Sequence, residues 1–190
     1  QAVGDNLSLS RTHDLVIVAH QDDDLLFMQP DLWNVVHERK PATVVYVTAG
    51  DGGRGVGRAT SRMDAAKAAY GWTGGSQDWR CRWISLAGHA AQRCELPAAN
   101  LELLYLGYPD GGVVGQGDSS LLRLWEGMID HADTVAERVT SYDRAGLIAT
   151  QKIPVPSHVR AEEREFRSFF RRLRFRAQLR AVERRNVIAS

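Results

Sequence analysis

At 190 residues the chain is long enough for one domain with a buried core and an appended segment. A hydrophobic fraction of 44% with 25% charged residues is ordinary for a globular protein, and no apolar run approaches the ~20 residues that a membrane-spanning helix needs. The net charge of +1 conceals a division: residues 1–150 carry 13 basic and 19 acidic side chains, residues 151–190 carry 11 basic and 4 acidic ones. That split predicts a core over 1–150 and an added basic segment over 151–190.

In chain order, residues 1–13 are polar and peripheral. Asp14–Ala19 reads as a buried strand, and it delivers His20, Asp22, Asp23 and Asp24 together at its carboxyl end. Open α/β sheets place their ligands at that edge. Neutral imidazole and ionised carboxylate suit a divalent ion such as zinc, and His20 and Asp23 are spaced to grip one ion from a tight turn. Asp22 is then free to act as a general base toward a metal-activated water. A helix cap is the competing reading: Asp22 or Asp23 caps the next helix, and the other acids favour its positive end.

Asp24 to Lys40 reads as a helix interrupted at Gln29-Pro30, where the proline kinks it or starts a second helix. Thr43–Thr48 is a strand rich in β-branched residues. A glycine-rich loop follows, Gly50 to Gly57, ahead of a helix over Ala59–Trp72. Gly50, Gly52 and Gly55 satisfy G-x-G-x-x-G, so a nucleotide-binding Rossmann domain is an alternative; the fingerprint, however, belongs in the first βαβ unit, with an acid about 20 residues on. A substrate-facing loop, with Arg54 and Arg58 placed to meet polar sugar or phosphate groups, and a plain tight connection are the other two readings.

Arg82–Leu86 is a third strand. Between Cys81 and Cys94 the chain reads as an excursion that a disulfide would tie down, which would indicate an extracytoplasmic compartment; reduced cysteines would leave a cytoplasmic one. Leu101–Leu106 is a strand ending at Gly107-Tyr108-Pro109-Asp110-Gly111-Gly112, which puts Asp110 on the edge shared with His20 and Asp23. Ser119 to His131 reads as a helix with Leu121, Leu122, Leu124, Trp125 and Met128 inward, and Gly146–Thr150 as the start of a further strand. Alternating strands and helices predict an α/β fold, a Rossmann-like three-layer sandwich with a mostly parallel sheet. From Phe166 onward, phenylalanines at helical spacing among arginines predict an amphipathic basic helix. It docks on the core or makes a peripheral membrane contact, and no nucleic-acid partner is expected.

Ala19-His20-Gln21-Asp22-Asp23-Asp24 resembles the Ala-His-Pro-Asp-Asp-Glu signature of the LmbE-like/PIG-L deacetylases, zinc hydrolases that remove acetyl from N-acetylglucosamine units. Tyr46 to Gly52, Arg58 to Tyr70 and Leu106 to Gly111 resemble later stretches of that family in the family's order. Gln21 stands where the signature has proline, and Asp24 where it has glutamate. The resemblance implies zinc held by His20 and Asp23, Asp22 as base, and Asp110 as a partner of substrate hydroxyls. It implies a substrate bearing an N-acetylglucosaminyl group on a small molecule or glycoconjugate, natural products such as glycopeptide antibiotics among them. The family's His-x-Asp-His or His-x-x-His element, source of a third zinc ligand, is missing, and His158 is the late histidine left for that role. A non-catalytic α/β binding protein with a degenerate metal site is the alternative.

Overall fold

Two mostly apolar strands are buried on both faces, and they lie inside the sheet. In the structure, a computed structural model describing residues 13–112 and 117–150, β2 (Ala42–Thr48) and β5 (Leu101–Tyr108) are buried at every position. Runs without alternation mark strands covered on both sides. β1 (Asp14–Val18) pairs parallel to β2, and β2 pairs parallel to β5. On the far side of β5 the sheet turns antiparallel: β4 (His89–Leu96) pairs with β5, and β3 (Arg80–Leu86) with β4, giving the order β1-β2-β5-β4-β3.

This corrects the mostly parallel sheet expected from the alternation of elements: the fold is α/β with a mixed sheet. The segment between the cysteines is no loose excursion. It is an antiparallel hairpin in which Cys81 lies opposite Cys94, and the two form a disulfide. The hairpin turns through Ala87 and Gly88, both at positive φ (49° and 87°), the backbone of a two-residue turn that follows the sheet's twist.

The first crossover is two short helices, α1 (Asp23–Phe27) and α2 (Asp31–His37), divided at Gln29-Pro30. The second contains α3 (Val56–Thr73), which turns Ala59, Ala66, Tyr70 and Gly71 inward, so that small residues let it lie close to the sheet. The helix expected over 119–131 is shorter, α4 (Leu121–Glu126). Ser120 caps it by accepting the Arg123 N–H, and Gly127 stops it in the left-handed region at φ 73°. Of its expected inward set, Leu124 is buried and Met128 is exposed. His131 lies on β6 (His131–Asp133), which pairs with β7 (Ser141–Asp143) in a small second sheet. Residues 146–150, expected to begin a strand, lie instead in helix α5 (Arg144–Thr150), with Leu147 fully buried.

The core cluster lies on one face of the sheet: Val16, Val44, Tyr46, Leu103 and Tyr105 from the strands, Leu32 and Val36 from α2, Ala66 and Tyr70 from α3. No helix among the described residues is long and apolar enough to cross a membrane. His158, the basic segment over 151–190 and its amphipathic helix lie outside the described residues.

Candidate metal centre

Parallel pairing of β1, β2 and β5 brings their carboxyl ends to one edge of the sheet. Two short bonds fasten that edge: the Thr48 N–H donates to the Ala19 carbonyl at 2.9 Å, and the Ala49 N–H to the Tyr108 carbonyl at 2.7 Å. His20 emerges after β1, the glycine loop after β2, and Asp110 after β5.

His20 stands between two carboxylates. Its Nδ1 is 3.4 Å from Asp23 Oδ2 and its Nε2 is 3.5 Å from Asp110 Oδ2. The His20 backbone N–H also donates to Asp23 Oδ2 at 2.9 Å, closing the tight turn. The Asp110 contact, then the Asp23 contact, raises the imidazole pKa to about 10 against an opposing effect of burial. Both carboxylates are lowered in turn. Ligand atoms of His20, Asp22 and Asp23 lie within 4.8 Å of one another. One imidazole and carboxylate oxygens gathered at that spacing fit a divalent cation of the zinc type. Among the described residues, this is the one such group of three.

Asp22 occupies the N-cap position of α1, yet its side chain makes no capping hydrogen bond. It turns instead to Arg62 on α3, whose Nη2 donates to Asp22 Oδ1 at 2.5 Å. The same guanidinium donates through Nε to Gln21 Oε1 at 3.2 Å. Gln21 uses its amide protons on the carbonyls of Thr48 and Ala49, both at 3.1 Å, so its hydrogen-bonding capacity is directed entirely at holding this corner. Gly50 makes room for it: at φ 60°, a Cβ there would fall 2.3 Å from Gln21 Oε1 and 2.7 Å from Arg62 Nε. A proline at position 21, as in the family signature, could make none of these side-chain bonds.

Asp24 points the other way, into the core, and is fully buried. Its Oδ2 accepts the Tyr46 hydroxyl at 2.7 Å and the Tyr70 hydroxyl as well. Burial raises its pKa despite those two bonds. Of the three consecutive aspartates, one faces the ion-pair corner, one the histidine and one the core.

The glycine loop is organised by Asp51. One carboxylate oxygen accepts the N–H groups of Gly53 (3.0 Å) and Gly55 (3.3 Å), and the other accepts the Asp110 N–H at 3.1 Å. An internal carboxylate thus already engages amides that a dinucleotide's phosphates would need, and the loop serves to fix the Asp110 turn. Arg54 and Arg58 are exposed on this loop and the start of α3, and neither forms an ion pair with a described residue. His89 stacks on Tyr142 at 4.2 Å, away from the cluster.

Sequence reasoning brought His20, Asp22, Asp23 and Asp110 to one place, and the structure assembles them there. It passed over Arg62, Gln21 as an active clamp, and Asp51. The signal for Arg62 was modest: one arginine on the α3 stretch already singled out for its resemblance.

The family model described as PIG-L, GlcNAc-PI de-N-acetylase, matches residues 15–163 of this chain, most of its length. No curated protein and no solved structure matches it.

Proposed function

This chain belongs to the PIG-L family of GlcNAc-PI de-N-acetylases, which makes it a deacetylase-type hydrolase for GlcNAc-like substrates; from that premise we propose that it is a zinc-dependent enzyme removing acetyl from an N-acetylglucosaminyl group of a small glycoconjugate or natural product. The observation that carries this reading is the gathering of His20, Asp22 and Asp23 beside Asp110, with Asp22 held by Arg62 rather than by its own helix.

His20 and Asp23 would hold the ion in this reading; His158, expected as a third ligand, lies outside the described residues. When bound, zinc supplies Lewis acidity, polarising the acetyl carbonyl and lowering the pKa of a water toward ~7. Asp22 takes the proton from the attacking water and returns it to the leaving amine as the amide C–N bond breaks. Arg62 and Gln21 keep that carboxylate at the mouth of the turn. Asp110 accepts a hydrogen bond from a sugar hydroxyl, and Arg54 and Arg58 meet polar groups further along the substrate. The Cys81–Cys94 disulfide supports an oxidising, extracytoplasmic setting.

Zinc content of the purified protein, measured together with acetate release from N-acetylglucosaminyl substrates, tests this. About one zinc per chain with stoichiometric acetate release is expected. Acetate release that survives complete removal of metal would reject it.

A further inference from the structure

Between α3 and the β3–β4–β5 half of the sheet lies a cavity of about 210 Å³. It reaches the same sheet edge as the metal cluster, since Thr48, Ala49 and Gly107, at or beside the carboxyl ends of β2 and β5, line it. Its wall is largely apolar, with Met63 from α3, Trp83 from β3 and Ala90 from β4. The charged pair on its α3 side, Asp64 and Lys67, is mutually neutralised at 2.9 Å. Tyr105 also lines it. That side chain is 4% exposed, and its hydroxyl has no hydrogen-bond partner among the described residues. Buried hydroxyls are normally paired, so an unpartnered donor on a residue that lines the cavity is a handle for a ligand that brings an acceptor. In size the space exceeds the roughly 150 Å³ that holds a benzene ring in an apolar cavity.

Gln21 joins this cavity to the site. Its side chain lines the cavity while bonded to the Thr48 and Ala49 carbonyls, and the next residue in the chain is Asp22. A group seated in the cavity therefore lies one side chain away from the general base of the reading above.

We propose that the cavity is a subsite for an uncharged aromatic aglycone of the substrate, a ring packed on Met63 and Trp83 that accepts a hydrogen bond from the Tyr105 hydroxyl. Neutrality follows from the lining: Lys67 and Asp64 satisfy each other, Glu137 is exposed and solvated, and Gln21, Thr48, Thr60 and Gln92 are uncharged. The inference rests on the deacetylase reading for the role of its occupant, but binding to the cavity is measurable apart from catalysis.

The probes are methyl, phenyl and 4-nitrophenyl β-D-glucosides, which carry no acetyl group and cannot be turned over. They are titrated into the full chain loaded with zinc, by calorimetry and by NMR of the Met63 methyl. Phenyl glucoside should bind about tenfold or more tightly than methyl glucoside, as burying a ring predicts, and should shift the Met63 resonance. Ala90→Phe, which fills the space, should abolish that preference. Tyr105→Phe, which keeps the ring and removes the donor, should erase any advantage of the nitrophenyl over the phenyl glucoside and keeps the test alive if Ala90→Phe fails to fold. Equal binding of the methyl and phenyl compounds, an unmoved Met63 resonance, or a preference that survives both substitutions would overturn the proposal. Acetate release from methyl and phenyl N-acetylglucosaminides at equal kcat/KM, without an aryl preference in binding, would remove the subsite and leave the deacetylase standing. An aryl preference in binding with no acetate release would do the reverse.

Discussion

Arg62 Nη2 and Asp22 Oδ1, forty residues apart in the chain, meet at 2.5 Å. The pair joins the first turn after β1 to the second crossover helix, and it leaves the second Asp22 oxygen outside this bond. An isolated exposed ion pair contributes little, but Arg62 is mostly buried and is bonded to Gln21 as well. Its effect is on where the carboxylate sits. Arg62→Ala should therefore lower kcat by about 10²-fold, the penalty typical of a misplaced catalytic group, while zinc stoichiometry stays near one. Gln21→Ala should act in the same direction and more weakly. Unchanged kcat in both variants would show that Asp22 needs no such support.

The neighbouring aspartates should separate by role. His20→Ala and Asp23→Ala are expected to lose metal with the fold intact by circular dichroism. Asp22→Asn should keep metal and lose ~10²–10⁴ in turnover, the range for a positioned proton transfer. Metal loss in Asp22→Asn, with retention in Asp23→Ala, would exchange the two assignments.

A pH dependence follows from the contacts of His20. Asp110 first, and Asp23 second, hold its imidazole protonated up to about pH 10 in the metal-free protein, whereas a metal ligand must be neutral. Binding should therefore release one proton below pH 10, and zinc affinity should rise about tenfold per pH unit between pH 7 and 9. The stabilising contacts of the imidazolium have the opposite sense: they are complete below its unfolded value of 6.5 and are lost as pH rises through 10. Asp110→Asn removes the larger cause and should flatten the zinc dependence in this range. Calorimetry in buffers of different ionisation enthalpy reads the proton count.

Asp24 makes the core test. Its two tyrosine hydroxyl bonds are buried, so Tyr46→Phe and Tyr70→Phe should each destabilise by about 1 kcal/mol. Asp24→Ala, which leaves both hydroxyls unpaired and opens space beside them, should cost about 2–4 kcal/mol. Urea unfolding of the metal-free chain measures these without interference from the site.

How far the sequence revealed this arrangement depended on how local each signal was. The apolar run Leu15–Val18 followed by His20 and three aspartates announced both the strand and the cluster, because chemistry and periodicity changed within a few residues. The central strands were legible from their β-branched and leucine-rich composition. The antiparallel half of the sheet was not, since a strand's direction is decided by its partner, and the hairpin turn is Ala87-Gly88 rather than the Asn-Gly that usually marks such a turn. The helix expected over 119–131 ends early because Gly127 is a left-handed stop. Likewise, Arg62 looked like any polar residue on a helix until folding brought it to Asp22, and Gln21 looked like a departure from a motif until its amide was seen bonded to β2.

The central claim, that Asp22 is the base of a metal-dependent deacetylase, is tested most directly by acetate release from an N-acetylglucosaminyl substrate by wild type and Asp22→Asn, each at measured zinc content. The account predicts equal zinc in the two proteins, acetate release by wild type, and a rate lower by ~10²–10⁴ in the variant. Equal rates at equal zinc would contradict it.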